Sequence, residues 1–134
     1  MLNDYICSVY KDGGRGELVS GQRAFDCWGL ARAVRSELYG LPSLASWGNV
    51  NPADKRQVTQ AWQAQCSSFE PCEPEIGALA EVYRGDLCLH LGVVVEADGA
   101  LAVLETTKRT GPRWMRISDF EREYQRVGYY RDKS

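Results

Sequence analysis

The Asp98-Gly99 pair is the sequence feature that most constrains the fold, because it lies between two apolar stretches. Residues 87–96 (LCLHLGVVVE) and 100–107 (ALAVLETT) both have the length and composition of β-strands. Asp-Gly is a preferred centre of a two-residue hairpin turn, since both positions tolerate positive φ. The pattern predicts a long antiparallel hairpin in which residues equidistant from the turn face each other.

Further strand patterns surround this hairpin. Strands are expected at residues 77–84 (GALAEVYR) and 126–131 (RVGYYR), and residues 112–117 (PRWMRI) are compatible with another. Ser118 and Glu121 in SDFEREYQ have the spacing of a capping box, which predicts a short helix before the last strand. The second half of the chain is therefore expected to form an antiparallel sheet.

A helical pattern covers residues 25–40, FDCWGLARAVRSELYG. Asp26 is expected to be the N-cap, Gly40 to lie just past the C-terminus, and Pro42 to prevent continuation. The apolar positions repeat at helical spacing and form one stripe: Cys27, Leu30, Ala31, Val34 and Leu38. The opposite side is predicted to carry Arg32, Arg35 and Glu37.

The rest of the first half is less regular. A second helix is predicted at about residues 53–65, with Pro52 and Asp54 near its start. Residues 1–24 end in the Gly- and polar-rich stretch KDGGRGELVSGQRA (residues 11–24), which is expected to form loop. Helices followed by an antiparallel sheet predict an α+β fold for a single domain of residues 1–134.

Composition and charge narrow the classes of function. The net charge is −2 and no segment has the apolar length of a bilayer span, so neither nucleic-acid binding nor membrane insertion is expected. The N-terminus lacks the apolar run of a signal peptide, which predicts synthesis in the cytoplasm without a leader. The five cysteines are odd in number and irregularly spaced, so reduced thiols are expected. A zinc site of Cys66, Cys72, Cys88 and His90 would lack C-x-x-C spacing, and no metal is expected.

Cys27 and His90 are candidates for nucleophilic catalysis. Cys27 lies at the first turn of the predicted helix, where unpaired N–H groups stabilise a thiolate. Such a nucleophile needs a base, and His90 is the single histidine of the chain. The hairpin register makes Glu105 a diagonal neighbour of His90 on the same face, where it would orient the imidazole. The same register brings Thr107 opposite His90, whereas a shift by one residue brings Thr106 there.

Each of these residues also has a structural interpretation. A free cysteine is among the most buried residue types, and a strand histidine is often a hydrogen-bonded core residue. Cys88, expected on the same strand face as His90, is a second candidate thiol that lacks the field of a helix N-terminus. Trp28, Trp47 and Trp62 are expected in the core or along a cleft. Composition and spacing alone leave the catalytic and structural interpretations open.

Three segments resemble the NlpC/P60 family of cysteine peptidases, most closely its phage-tail branch. FDCWGLARAVRSELYGLP resembles the nucleophile helix, HLGVVVEADGALAVLET the histidine strand and the strand after it, and RWMRISDFEREYQRVGYYR the end of phage-tail members. The resemblance extends from about residue 10 to residue 131. It implies a papain-like fold in which N-terminal helices, with the nucleophile at a helix N-terminus, pack on a C-terminal antiparallel sheet.

The resemblance also implies roles for individual residues. Cys27 would be the nucleophile and His90 the general base. The segment VYKDGG is similar to one upstream of the family's nucleophile, so Tyr10 is expected near the oxyanion site. Asp26 and Trp28, which flank the nucleophile, are expected beside the oxyanion and the substrate.

The chain departs from the family at the third catalytic position. The family usually has a second histidine or another polar residue after the first, where this chain has ALAVLETT. Glu105, Thr106 or Thr107 would have to serve there. This departure leaves open an alternative function, a catalytically inactive protein of phage tail assembly.

The function that the resemblance implies is hydrolysis of an amide bond in bacterial peptidoglycan stem peptides, beside a D-glutamyl residue and without a cofactor. The expected partners are the peptidoglycan peptide and other phage tail proteins. Such a protein would be phage- or prophage-encoded and would act at the cell wall when a tail delivers it. An injected antibacterial amidase would share the chemistry and is a second alternative.

Overall fold

The computed structural model describes residues 2–48, 50–51 and 53–133, which form a mixed α+β structure. The helices are α1 (Leu2–Ile6), α2 (Cys27–Glu37), α3 (Lys55–Gln65) and α4 (Ile117–Tyr124), with a 3₁₀ turn at Cys66–Ser68. The strands are β1 (Val9–Tyr10), β2 (Arg15–Val19), β3 (Gln22–Phe25), β4 (Phe69–Pro71), β5 (Leu79–Arg84), β6 (Leu87–Ala97), β7 (Ala100–Thr107), β8 (Gly111–Arg116) and β9 (Val127–Asp132).

The strands form two sheets. The larger sheet is antiparallel and has the order β4-β9-β5-β6-β7-β8. The smaller sheet has the order β1-β3-β2 and pairs β1 with β3 in parallel. β3 leads directly into α2, so the small sheet sets the position at which α2 begins.

The larger sheet separates two apolar clusters. On one face, α2 and α3 pack through residues such as Leu30 and Trp62 against Leu91 and Val93 of β6. On the other face, α4 packs through Phe120 against the alternate strand positions, which include Ala80, Val94 and Val103. This alternation is what strands buried on both faces require. The centre of the sheet is therefore packed on both faces, and β5 and β6 form its middle.

The Asp98-Gly99 turn has the predicted geometry. Both residues have positive φ, 51° and 83°, as a two-residue hairpin turn requires. The observed pairs run from Ala97–Ala100 to Val93–Leu104, which is the register expected from the sequence.

The prediction that residues 11–24 form loop is wrong. This segment contains β2 and most of β3. Its strands meet at Ser20-Gly21, where φ values of 52° and 82° form a second two-residue turn. The strands are short and partly exposed, so they lack the apolar alternation that reveals a strand in a sequence.

Two further elements differ from expectation. α4 begins at Ile117 after Arg116, and no side chain caps it, so the predicted capping box of Ser118 is not formed. β4, for which no strand was predicted, adds an edge strand to β9 in which Pro71 is tolerated. For α3, Asp54 lies near the start of the helix as predicted, where it is the N-cap and accepts from two backbone N–H groups, whereas Pro52 lies outside the described residues.

α2 agrees with its predicted boundaries, but one of its predicted outer residues is buried. Asp26 caps the helix, and Gly40 turns the chain beyond its end with a φ of 64°. Arg35 was expected to face solvent, yet its side chain is fully buried. It donates to the Gly77 carbonyl at 2.9 Å and to the Asp132 carboxylate at 2.7 and 2.8 Å. These bonds compensate part of the cost of burying the cation, although Nε of Arg35 has no hydrogen-bond partner among the described residues.

Within the described part of the chain, no helix has the length and apolar character needed to cross a membrane.

Candidate active site

Cys27 is the first residue of α2, and Asp26 caps the helix immediately before it. The Asp26 carboxylate accepts hydrogen bonds from the N–H groups of Gly29 (2.8 Å) and Gly13 (3.1 Å). Helix geometry leaves the N–H groups of Cys27 and Trp28 without an intrahelical acceptor. The positive end of the helix therefore lies beside the partly exposed Cys27 thiol.

Arg15 fixes the position of Asp26 and of the loop that follows α2. Its Nη1 donates to Asp26 Oδ1 at 2.6 Å and to the Gly14 carbonyl at 2.7 Å. The same guanidinium donates to the carbonyls of Ser46 and Trp47. Trp47 has a φ of 50°, which is strained for a bulky residue. Arg15 thus holds a strained loop against the start of α2.

His90 lies on β6 next to a β-bulge. The pairs Tyr83–Cys88 and Val82–His90 leave Leu89 as the extra residue. The sequence predicted that Cys88 and His90 share one face of the strand. This prediction is wrong, because the bulge interrupts the alternation of side chains between them. Cys88 packs instead in the cluster beneath α2 and α3.

The surroundings of Cys88 make it a poor nucleophile. The thiol is fully buried and donates to Glu81 Oε2 at 2.7 Å. Burial, together with the neighbouring Glu81, raises the pKa of Cys88. A protonated, inaccessible thiol is unreactive, so Cys27 is the better candidate of the two.

Glu105 forms the centre of a hydrogen-bond network around His90. His90 Nε2 donates to Glu105 Oε1 at 2.7 Å. The Tyr124 hydroxyl donates to the same oxygen at 2.6 Å, and Arg113 Nε donates to Oε2 at 2.8 Å. The Tyr124 ring also packs on the imidazole, with 5.5 Å between ring centroids. Glu105, rather than Thr106 or Thr107, is the residue that the structure brings to His90.

The charges at the site stabilise one another. Burial of the imidazole opposes its charged form, but hydrogen bonds to Cys27 and Glu105 outweigh burial and raise the pKa of His90 to about 9. Burial likewise opposes ionisation of Glu105, yet the donors His90, Tyr124 and Arg113 hold its pKa below the ordinary value. Since Glu105 engages Nε2, the Nδ1 atom is the nitrogen left for the Cys27 side chain.

The neighbouring threonines have other surroundings. Thr107 Oγ1 bonds to Thr110 Oγ1 at 2.8 Å. Thr106 is fully buried, and its Oγ1 has no hydrogen-bond partner among the described residues. Neither hydroxyl takes the orienting role that the sequence left open between them and Glu105.

The other residues predicted for the site lie around Cys27. Tyr10 pairs with Phe25 in the small sheet, and its hydroxyl donates to Asp12 at 2.8 Å. Burial and that carboxylate raise the pKa of Tyr10. Trp28 is buried, and its indole N–H donates to the Ala45 carbonyl at 2.8 Å. Tyr10 thus lies beside the site in the small sheet, whereas Trp28 anchors the loop that follows α2.

Cys27 lies where two cavities meet. One is a small enclosed cavity of about 20 Å³. Its lining consists of Arg15, Asp26, Cys27, Trp28, Trp47, Val50, Val58, Ala61 and Leu91. The other is an open groove of about 370 Å³ that His90 and Tyr10 also line. A ligand in the groove would have direct access to both the thiol and the imidazole.

Several residues of the site were not found from the sequence. Arg113 was within reach of sequence reasoning, because it pairs directly with Glu105 across β7 and β8. Tyr124 and Arg15 were not, since a helix and a short sheet distant along the chain bring them to the site. Trp47 was expected in the core or along a cleft, and it lines the enclosed cavity.

Among the described residues, no three histidine, cysteine, aspartate or glutamate side chains are grouped to hold a metal ion. No protein-family model matches the chain, and no curated protein matches it at a significant level.

Proposed function

We propose that this protein is a cysteine peptidase with a papain-like NlpC/P60 fold, which hydrolyses an amide bond in bacterial peptidoglycan stem peptides. The observation that carries the proposal is the position of Cys27 at a helix N-terminus, where it lines the same groove as His90, whose Nε2 donates to Glu105. This is the constellation that thiol acyl transfer needs. The resemblance of the DCWGL and HLG segments to that family supplies the substrate class.

In the proposed hydrolysis, Cys27 is the nucleophile and His90 transfers the protons. The Cys27 thiolate attacks the amide carbonyl while His90 is an imidazolium, and the Cys27 N–H helps to stabilise the oxyanion. His90 then gives its proton to the leaving nitrogen, which releases the amine and leaves a thioester on Cys27. Neutral His90 next takes a proton from water, which attacks the thioester and frees the thiol and the acid.

The network around Glu105 supports an active enzyme over an inactive tail protein with the same fold. The inactive alternative was attractive because this chain lacks the second histidine expected from the resemblance. Glu105 makes the hydrogen bond to His90 that this position requires, and Tyr124 and Arg113 hold its carboxylate. A carboxylate that is fixed by two further donors and holds one nitrogen of an imidazole is the arrangement that orients a catalytic base, which supports the active enzyme.

The first experiment measures the reactivity of each cysteine. Native protein is treated with iodoacetamide at pH 5 to 9, and alkylation is followed by mass spectrometry of each cysteine peptide. Cys27 should react faster than Cys66, which is also partly exposed and thus a control within the molecule. His90→Ala should lower the Cys27 rate at pH 6.5 at least about tenfold and leave the Cys66 rate unchanged.

Digestion of purified peptidoglycan peptides tests the activity itself. The wild-type protein should release new amines and Cys27→Ser should not. A Cys27 thiol that reacts no faster than Cys66, together with intact peptides after incubation, would favour the inactive tail protein.

A further inference from the structure

The cleft has two sides of different chemistry, and Cys27 lies between them. The enclosed cavity is largely apolar, and Trp47, Val58 and Leu91 contribute to its wall. The open groove is polar and contains His90. Cys27 lines both spaces.

The proposed reaction assigns the leaving fragment of a substrate to one of these two sides. His90 has to protonate the nitrogen that leaves, so the leaving fragment lies on the side of the imidazole. That side is the open groove, because His90 lines it. The enclosed cavity, at about 20 Å³, has room for about one water molecule and is too small to hold the acyl fragment.

The groove has an excess of positive charge. Lys108 and Arg109, at the hairpin between β7 and β8, line one rim, and Lys55 of α3 lines another part. The acidic residue of the lining is Asp12, whose carboxylate already accepts a hydrogen bond from the Tyr10 hydroxyl. Arg109 also contacts Glu123 at 3.6 Å, but both side chains are exposed, so solvent weakens this pair.

We propose that the open groove is the subsite for the leaving fragment and that it selects a fragment carrying a carboxylate. Lys108 and Arg109 attract the carboxylate. The inference rests on the proposed peptidase function, since the side of the leaving group follows from the role of His90.

A pair of oppositely charged thiol reagents tests the charge preference without a substrate. The probes are the anionic 2-sulfonatoethyl and the cationic 2-(trimethylammonio)ethyl methanethiosulfonate. In each case the thiolate attacks the sulfenyl sulfur, a disulfide forms and methanesulfinate leaves. The anion-to-cation rate ratio at Cys27, divided by the same ratio at Cys66, should exceed one.

Lys108→Ala/Arg109→Ala should lower this normalised ratio roughly threefold at low salt, and 0.5 M NaCl should reduce the effect. Arg122→Ala/Lys133→Ala is the matched control, because it removes the same charge at residues that do not line the groove. An unchanged ratio in the groove variant, or an equal fall in the control, would overturn the proposal.

Peptide substrates test the subsite directly. Peptidoglycan peptides are compared whose leaving residue has either a free or an amidated carboxylate. The free form should have a kcat/KM roughly tenfold higher, and the groove variant should abolish the difference.

The two tests separate the two proposals. Cleavage of both peptides at equal rates would overturn the carboxylate subsite and leave the peptidase standing. A charge preference at Cys27 without cleavage of any peptide would support an anion-binding groove and overturn the peptidase.

Discussion

Glu105 is the residue on which the proposed chemistry most depends, since it fixes both the orientation and the charge of His90. Its two oxygens accept from His90, Tyr124 and Arg113, so the carboxylate has little freedom to rotate. The pKa of His90 is raised to about 9 by hydrogen bonds to Cys27 and Glu105, which outweigh burial. Near neutral pH the imidazole therefore carries the proton that a leaving amine needs.

Glu105→Gln should lower the pKa of His90 by roughly one to three units, because it removes the opposite charge. His90 is the single histidine of the chain, so one imidazole signal reports this pKa in an NMR titration. Tyr124→Phe is the matched control, since it leaves the Glu105 charge in place and should shift the pKa less. An equal effect of both variants would contradict the role of the Glu105 charge.

The sign of the associated stability change follows from the raised pKa. The folded protein binds a proton at His90 up to about pH 9, whereas an unfolded histidine releases it near 6.5. The stability contributed by His90 is thus fully present below pH 6.5 and is lost as the pH rises through 9.

Glu81 is a second buried residue whose protonation makes stability depend on pH. Its side chain is fully buried, its Oε1 has no hydrogen-bond partner among the described residues, and burial raises its pKa to about 8 despite the Cys88 thiol. Between pH 4.5 and 8 an unfolded chain loses a proton that the folded protein keeps, so the free energy of unfolding falls as pH rises. Glu81→Gln has no such loss and should gain on the wild type by on the order of 3 kcal/mol between pH 5 and pH 8.

Urea unfolding of wild type and Glu81→Gln at both pH values measures this difference. A constant offset between the two proteins would mean that Glu81 is ionised in the folded state throughout.

At the scale of elements, the contact between α2 and the start of β2 sets the place of the nucleophile. Gly29 lies so close to the Gly14 backbone that an added Cβ would be 2.0 Å from the Gly14 carbonyl oxygen. Gly29→Ala should therefore push the N-terminus of α2 away, lower the unfolding free energy by roughly 2 kcal/mol or more and slow alkylation of Cys27. Gly48→Ala, whose Cβ would meet its nearest atom at 3.4 Å, should change neither quantity.

Thermal unfolding and the alkylation rate of Cys27 provide the two readouts. Normal stability of Gly29→Ala would show that the two backbones separate without cost.

Sequence reasoning succeeded for elements whose signals are local and failed for those that tertiary contacts determine. The Asp98-Gly99 turn fixes its own register, and the register places Glu105 near His90. The Ser20-Gly21 hairpin has the same turn chemistry, but its short polar strands carry no apolar pattern. The bulge at Leu89, which separates Cys88 from His90, arises from the pairing of β6 with β5 and leaves no mark in the β6 pattern itself.

At the scale of the molecule, Arg35 joins elements that lie far apart in the chain. Its buried guanidinium connects α2 to the Gly77 carbonyl before β5 and to Asp132 at the end of β9. A helical pattern cannot reveal this role, because an arginine on the outer side of a helix is usually solvated. The pairing holds the C-terminal strand against the helix that carries the nucleophile.

Arg35→Met should lower the free energy of unfolding by roughly 3 to 5 kcal/mol, since it removes one partner of a buried pair and leaves Asp132 and the Gly77 carbonyl unsatisfied. Asp132→Asn should cost less because Asp132 is partly exposed, and the double variant should lose less than the two single losses combined. Chemical denaturation of the four proteins gives the coupling energy.

Arg35 lies in the last turn of α2 and Cys27 in the first, so the alkylation rate of Cys27 in Arg35→Met in native buffer should stay within about twofold of the wild type. A loss below about 1 kcal/mol, or a Cys27 rate that falls in step with stability, would contradict the separation of this structural pair from the reactive end of the helix.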